Sequence, residues 1–278
     1  MDTWKERTII RLLSAKYRLI NMFSTKRAGK GSINVLIHPM QGRVIPKELP
    51  DVAPHKTGKR KSADDLDVKL YDWGGSGETT LLIHGWDSNS YRWYDMIDHL
   101  GRGNHRFVAL DAPYHGESDG DHFNLSHFAN MIDVALKTFE PTRIVAHSLG
   151  ALSLAHHLQK KAYSKLERLI LLSPVADLSW HIDRYHQLLS LRKKTRIAMD
   201  EYFESFFKME FREFNFRDFE TKLDCEVLII HDELDPVVPI SDSQRIHEWF
   251  QGSELKTVRG LGHTLRGEAV YQMIGEFL

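Results

Sequence analysis

From Val68 onward, short apolar runs alternate with stretches of helical periodicity, and this alternation restricts the possible folds more than any other feature of the chain. Strand-like runs at Val68–Trp73, Leu81–His84, Phe107–Leu110, Ile144–Ala146 and Leu169–Leu172 are separated by helix-like segments at Tyr91–Leu100, Leu125–Phe139 and Leu149–Lys161. Runs that are apolar at nearly every position are strands buried on both faces, and helical crossovers between them make neighbouring strands parallel. The expected fold class is therefore α/β, a mostly parallel doubly wound sheet with helices on both faces. After a break the pattern resumes with a strand at Val227–Ile230, a helix near Ser243–Phe250, a strand near Leu255–Val258 and a closing helix from Thr264 to Leu278. A chain of 278 residues is long enough to bury a sizeable core.

The break, over about residues 177–222, is rich in aromatics: Trp180, Tyr185, Tyr202, Phe203, Phe206, Phe207, Phe211, Phe214, Phe216 and Phe219. Tyr202, Phe203, Phe206 and Phe207 recur on one helical face, which predicts a small helical cap insertion whose apolar side packs on the main body, with a lid over a pocket as the alternative. Residues 1–30 carry eight Lys/Arg against two acids, with Trp4, Ile9, Leu13, Tyr17, Ile20 and Phe23 at mostly helical spacing. This predicts a basic amphipathic N-terminal helix docked on a core of residues 31–278; contact with a membrane surface or a partner is the alternative. Between Ala28 and Ala63, Val35-Leu36-Ile37 reads as a short edge strand among loops that include the basic cluster Lys56, Lys59, Arg60 and Lys61.

A formal net charge of -1 argues against a nucleic-acid partner and against a highly charged substrate. The single cysteine, Cys225, opens an apolar run and is expected to pack in the core. No run approaches the roughly 18 apolar residues of a membrane span. Lys5, Glu6, Arg7 and Arg11 interrupt the block a signal peptide would need, so a cytoplasmic location is expected. H-E-x-x-H and paired Cys/His signatures are absent from the sequence; neither a metal nor a cofactor is expected.

Chemistry concentrates at Arg143-Ile-Val-Ala-His-Ser148-Leu-Gly-Ala151, where an apolar run turns sharply into a helix with serine at the bend. Such a nucleophile elbow requires small residues two before and two after the serine, here Ala146 and Gly150. A serine hydroxyl needs a general base within hydrogen-bond reach and a third group to orient that base. Of sixteen histidines, His263 in Gly260-Leu-Gly-His-Thr264 follows the last strand in a glycine-flanked loop. That loop lies at the carboxyl edge of the sheet, where doubly wound folds gather their functional groups. The orienting acid is expected at Asp235, beyond the Val227–Ile230 strand, with Asp232 and Glu233 as rivals. His147 is open between a pocket position and a buried one, while His84 and His115 are expected to brace loops.

The order Ser148, Asp235, His263 matches that of the α/β-hydrolase triad, and from about Val68 to its end the chain resembles that superfamily, in particular its serine esterases and lysophospholipases. The resemblance rests also on His84-Gly-Trp86 after the first core strand and on Asp111-Ala-Pro-Tyr-His-Gly-Glu-Ser118, similar to the family's D-x-x-G-H-G-x-S. The Asp-Pro-Val-Val-Pro239 acid loop and the late Gly-His complete it. It implies a cofactor-independent carboxylesterase acting on small or medium uncharged esters, with Ser148 as nucleophile, His263 as base and Asp235 as orienting acid. It further implies an oxyanion hole from the backbone N–H groups of Trp86 and Leu149. Lipid or lysophospholipid hydrolysis on the same triad is the alternative, and a non-catalytic ligand-binding homologue a more distant one. His147, Tyr114 and Trp180 are the expected pocket residues. Two positions depart from the family pattern, Ala146 for glycine at the elbow and Tyr114 where glycine is common.

Overall fold

The computed structural model describes residues 3–45, 53–101, 103–217 and 224–278, with backbone alone for residues 3–7 and 56. Phe219 and the end of the 177–222 segment lie outside the described residues, as do the first two residues of the N-terminal stretch and the side chain of Trp4. In chain order the elements begin α1 Thr3–Phe23, α2 Thr25–Ile37, β1 Lys56–Lys61, β2 Asp67–Asp72, β3 Glu78–Ile83, α3 Tyr94–Leu100, β4 His105–Leu110 and α4 Leu125–Phe139. They continue β5 Arg143–His147, α5 Leu149–Lys160, β6 Arg168–Leu172, α6 Leu178–Leu188, α7 Lys193–Phe207, β7 Glu226–Asp232, α8 Ser241–Trp249, β8 Glu254–Val258 and α9 Glu268–Phe277. The chain divides into two compact units, Met1–His38 with Asp177–Phe214 and Pro39–Ala176 with Asn215–Leu278.

In the larger unit one sheet runs β1-β2-β4-β3-β5-β6-β7-β8. β3 to β8 are parallel, and β1 and β2 lie antiparallel at one edge. Side chains of successive strand residues point to opposite faces. Leu82, Phe107, Ala109, Val145, Ile170, Leu228 and Ile230 form one cluster with Met96 and Ile97 of α3 and Val270 and Ile274 of α9. The intervening Leu81, Ile83, Val108, Leu110, Ile144, Leu169 and Ile229 are equally buried and face the other way, where α4 packs on β3, β4 and α5. Each such side chain contributes about 1.5–3 kcal/mol when fully buried, and covering both faces explains why these strands read as continuous apolar runs. The resulting register brings the carboxyl ends of β3, β5, β7 and β8 to one edge.

In the smaller unit, α2 corrects the edge strand expected at Val35-Leu36-Ile37, which is the last turn of that helix. Ser24 ends α1 and caps α2, its Oγ accepting the Arg27 N–H at 3.2 Å. Ala28, Gly29, Ser32, Ile33 and Ile37 then form the buried face. A Cβ on Gly29 would sit 2.9 Å from the Cβ of Ala198, so glycine is what lets α2 and α7 approach. Tyr17 of α1 donates from its hydroxyl to the Gly31 carbonyl at 2.7 Å, and Tyr185 of α6 donates to the Ser32 carbonyl at 3.1 Å. The aromatics of α7 stack locally, Phe203 against Phe211 with 3.8 Å between ring centres, whereas Phe216 belongs to the larger unit and meets Phe250.

The edge strand of this region is β1, which carries the basic cluster and pairs with β2 along its length, β8 forming the opposite edge. Lysines on an edge discourage further strand addition. The closing helix starts at Glu268, four residues later than expected, because the Thr264 carbonyl accepts from the Arg92 guanidinium at 2.7 Å and the intervening residues form a loop. Among the described residues no helix is long and apolar enough to cross a membrane.

Candidate active site

Ser148 stands between β5 and α5 with φ 53 and ψ −125, a backbone conformation that costs an L-residue roughly 1–3 kcal/mol. Its neighbours explain how the turn is held. A Cβ on Gly150 would lie 2.2 Å from the His84 carbonyl oxygen, so only glycine lets α5 start this close to the end of β3. Ala146 is fully buried in the sheet, its methyl fitting where the family usually has glycine. The Ser148 N–H donates to the Leu172 carbonyl at 3.0 Å, fixing the bend to β6.

The structure brings the three expected side chains into one hydrogen-bonded line. Ser148 Oγ lies 3.0 Å from His263 Nε2, and His263 Nδ1 lies 2.7 Å from Asp235 Oδ2. With Nδ1–H donating to the carboxylate, Nε2 is left to accept the serine proton. The Asp235 side chain is fully buried. Burial by itself would raise its carboxyl, but hydrogen bonds from His231 and His263 and from the Val237 N–H together hold it below the usual carboxylate range.

The rivals do other work. Asp232, also buried, accepts the N–H groups of Leu234 at 2.7 Å, Leu261 at 2.5 Å and Gly262 at 2.9 Å, and so clasps the loop that carries His263. Glu233 is spent on Thr257 and Arg259 at the surface.

Three further residues support this line, and no local sequence pattern marks them for it. His147 Nε2–H donates to the His263 carbonyl at 2.9 Å, and the two rings lie 4.9 Å apart. Burial, with the charge of Arg92 adding to it, holds the His147 imidazole well below its ordinary pKa, hence neutral. Arg92 is buried with no carboxylate paired to it among the described residues, donates to the next carbonyl, Thr264, and stacks on Trp93 at 4.5 Å. Burial and the neighbouring Arg266 lower its guanidinium to about 9. His231 donates from Nε2 to the Val238 carbonyl at 2.9 Å, with Asp235 Oδ2 at 3.4 Å, and its Nδ1 accepts the Ser243 hydroxyl at 2.6 Å. Only its position four residues before Asp235 hinted at that role.

Of the two expected oxyanion residues, Leu149 directly follows the serine and Trp86 follows Gly85, whose backbone approaches it. Leu149 is the first residue of α5, where backbone N–H groups lack intrahelical acceptors. Before Trp86, a Cβ on Gly85 would lie 2.9 Å from both Ser148 Cβ and His147 Nδ1, so glycine lets this strand end graze the elbow. His84 Nδ1–H donates to the Gly85 carbonyl at 2.7 Å, and because the peptide is planar and trans, the Trp86 N–H turns the opposite way. The other ring nitrogen accepts the Ala112 N–H at 2.9 Å.

Behind it, His115 accepts the Asp87 N–H through Nε2 at 3.1 Å. Burial lowers both imidazoles to about 3, keeping them neutral. Asp111 ties the same loops, accepting from the Tyr71 hydroxyl at 2.6 Å and from the N–H groups of Ser90 and Glu117.

Tyr114 takes φ 61, the left-handed conformation that glycine would adopt there freely, and the Arg43 guanidinium lies 4.6 Å over its ring. Trp180, the third expected pocket residue, is in the first turn of α6 in the smaller unit, where Asp177 Oδ1 caps its backbone N–H.

Comparison with known proteins agrees with this architecture. The profile of the alpha/beta hydrolase family matches residues 80–270. The chain is 27% identical over 125 residues to a non-heme chloroperoxidase of Kitasatospora aureofaciens, covering 44% of this chain and 45% of that protein. It is 25% identical over 124 residues to a non-heme haloperoxidase of Rhodococcus erythropolis, covering 42% and 44%. The matches thus span less than half the length of these relatives. Among solved structures, an esterase from Pyrococcus furiosus superposes with a TM-score of 0.65 at 20% identity, covering 87% of this chain and 98% of that one. An esterase from Exiguobacterium antarcticum gives 0.60 at 17% identity, with 80% and 97% covered. At such identities the likeness is one of fold; with the family profile matched over most of its length, the chain belongs to the alpha/beta hydrolase family.

Proposed function

We propose that the protein is a serine hydrolase that cleaves carboxylic esters through an acyl-enzyme, a carboxylesterase for small or medium uncharged esters. The observation that carries this reading is the line from Ser148 Oγ through His263 to buried Asp235. Ser148 attacks the ester carbonyl while His263 Nε2 takes its proton, and Asp235 stabilises the imidazolium that forms. The N–H groups of Trp86 and Leu149 receive the developing oxyanion, each such donor being worth about 10²-fold to 10³-fold in turnover. His263 then protonates the leaving alcohol, and water, deprotonated by the same imidazole, releases the acid and restores Ser148.

The test is reaction of folded protein with a fluorophosphonate probe, mapped to Ser148 by peptide mass, together with turnover of p-nitrophenyl butyrate. Labelling and turnover that both vanish in Ser148→Ala support the reading. A folded protein that neither labels nor turns over any member of a panel varied in acyl and alcohol length overturns it. The names of its curated relatives make hydrogen peroxide the acceptor to run beside water: attack on the same acyl-enzyme would release a peracid, detectable by halide oxidation.

A further inference from the structure

The outward face of α1 is apolar where a helix docked by one side only would be polar. Leu13, Tyr17 and Ile20 turn inward onto Leu189, Leu191, Val35 and Tyr185, and Ser14 Oγ donates to the Leu189 carbonyl at 2.7 Å. On the other side Leu12, Leu19, Met22 and Phe23 are 66%, 59%, 68% and 84% exposed. Leu12, Leu19 and Phe23 follow at steps of seven and four residues, which puts them on one line along the helix. Arg11, Lys16 and Arg18 are exposed around that line, and Lys26 and Arg27 continue the basic rim at the start of α2. From Thr8 to Ile37 the chain has six Lys/Arg and no acid.

A contiguous apolar ridge on an exposed helix marks a surface that something covers. The charge pattern selects the occupant. A second copy would set one basic rim against another, whereas an anionic bilayer offers an acyl boundary for the ridge and headgroups for the rim, toward which lysine and arginine stems reach. We propose that the outward face of α1 seats the protein on anionic lipid surfaces, the helix lying in the interfacial plane with Leu12, Leu19, Met22 and Phe23 at the acyl boundary. Such attachment does not depend on which ester the active site accepts.

The experiment is co-sedimentation of the full chain with vesicles of phosphatidylcholine and phosphatidylglycerol in equal parts, against pure phosphatidylcholine, at low and high salt. Wild type is expected to partition onto the anionic vesicles and to leave them as salt rises. Leu19→Ser with Phe23→Ser should lose at least about tenfold in partitioning, and Arg18→Gln with Lys26→Gln about fivefold per charge at low salt. All four side chains are exposed, so both variants should keep the wild-type unfolding midpoint, and the two pairs sit on different residues should either perturb folding. Failure of wild type to bind anionic vesicles at low salt overturns the proposal, as does equal binding by wild type and both variants. Concentration-dependent dimerisation abolished by the serine pair, without vesicle binding, would assign the face to a second copy and overturn it too.

Discussion

His147 holds His263 by the backbone: its Nε2–H donates to the His263 carbonyl at 2.9 Å, so the residue before the proposed nucleophile positions the proposed base. Because the imidazole is buried and kept neutral, that donor stays in place across the working pH range. Replacing it by a ring without a donor, His147→Phe, should lower kcat about tenfold, the effect of a misplaced base, while KM moves less than about twofold. His147→Gln, which retains a donor, should recover part of the loss. Steady-state kinetics on a p-nitrophenyl ester decide it; equal kcat for wild type and both variants would remove His147 from the positioning role.

The strain at Ser148 separates two inactive variants. Ser148→Ala and Ser148→Gly both lack the hydroxyl, but only glycine adopts φ 53 without penalty. The glycine variant should be more stable than the alanine variant by about 1 kcal/mol, a difference of about 2–4 °C in Tm for a chain of this size. Calorimetry on the pair reads it directly, and an alanine variant that melts as high as the glycine one contradicts the strain argument.

Gly150→Ala tests the contact between α5 and β3. The added methyl would meet the His84 carbonyl at 2.2 Å, against backbone that cannot swing aside. A loss of about 2–3 kcal/mol is expected, in line with overpacking elsewhere. Because His84 leads into Gly85 and Trp86, turnover should fall more than stability does. Urea unfolding and kcat on the same preparation check both halves.

Stability should climb between pH 5 and pH 7. His84 and His115 each accept a backbone N–H through one ring nitrogen, so protonation would set two donors face to face, and burial holds both near 3. In the unfolded chain the same groups take up protons near 6.5. The unfolded state therefore binds more protons below that value, and stability drops by about 1.4 kcal/mol per pH unit per histidine as pH falls. Asp235 works in the same direction lower down: its depressed carboxyl contributes fully above its unfolded pKa of about 4 and loses that contribution as pH falls through the folded value. Urea midpoints flat from pH 7 to pH 5 would contradict the neutral assignment of the two histidines.

Much of the larger unit could be read from the sequence, because strands buried on both faces leave apolar runs that few other structures leave. Leu125–Phe139 is one helix as expected, and Ser148, Asp235 and His263 meet, because the order of strand ends along a parallel sheet leaves little choice of edge. Val35-Leu36-Ile37 misled because a three-residue apolar run carries no period of its own; the helix is declared by Ser24 and by the buried spacing of Ala28, Ser32 and Ile33. β1 left no trace, since a basic edge strand is ordered by its hydrogen bonds to β2 and not by an apolar pattern. The supports of His263 were hidden for another reason. His147 reaches it across 116 residues, and Arg92 reaches Thr264 across 172, distances over which local pattern is silent.

Asp232 has a consequence for assembly. Its carboxylate takes backbone N–H groups from the loop after β7 and from the loop after β8, so the segments carrying Asp235 and His263 share one anchor. Two loops tied at a common point close cooperatively. A chain that buried the Asp235 carboxylate before the His263 imidazole could donate to it would leave a charged acceptor short of a donor, a half-built state that costs about 1–3 kcal/mol.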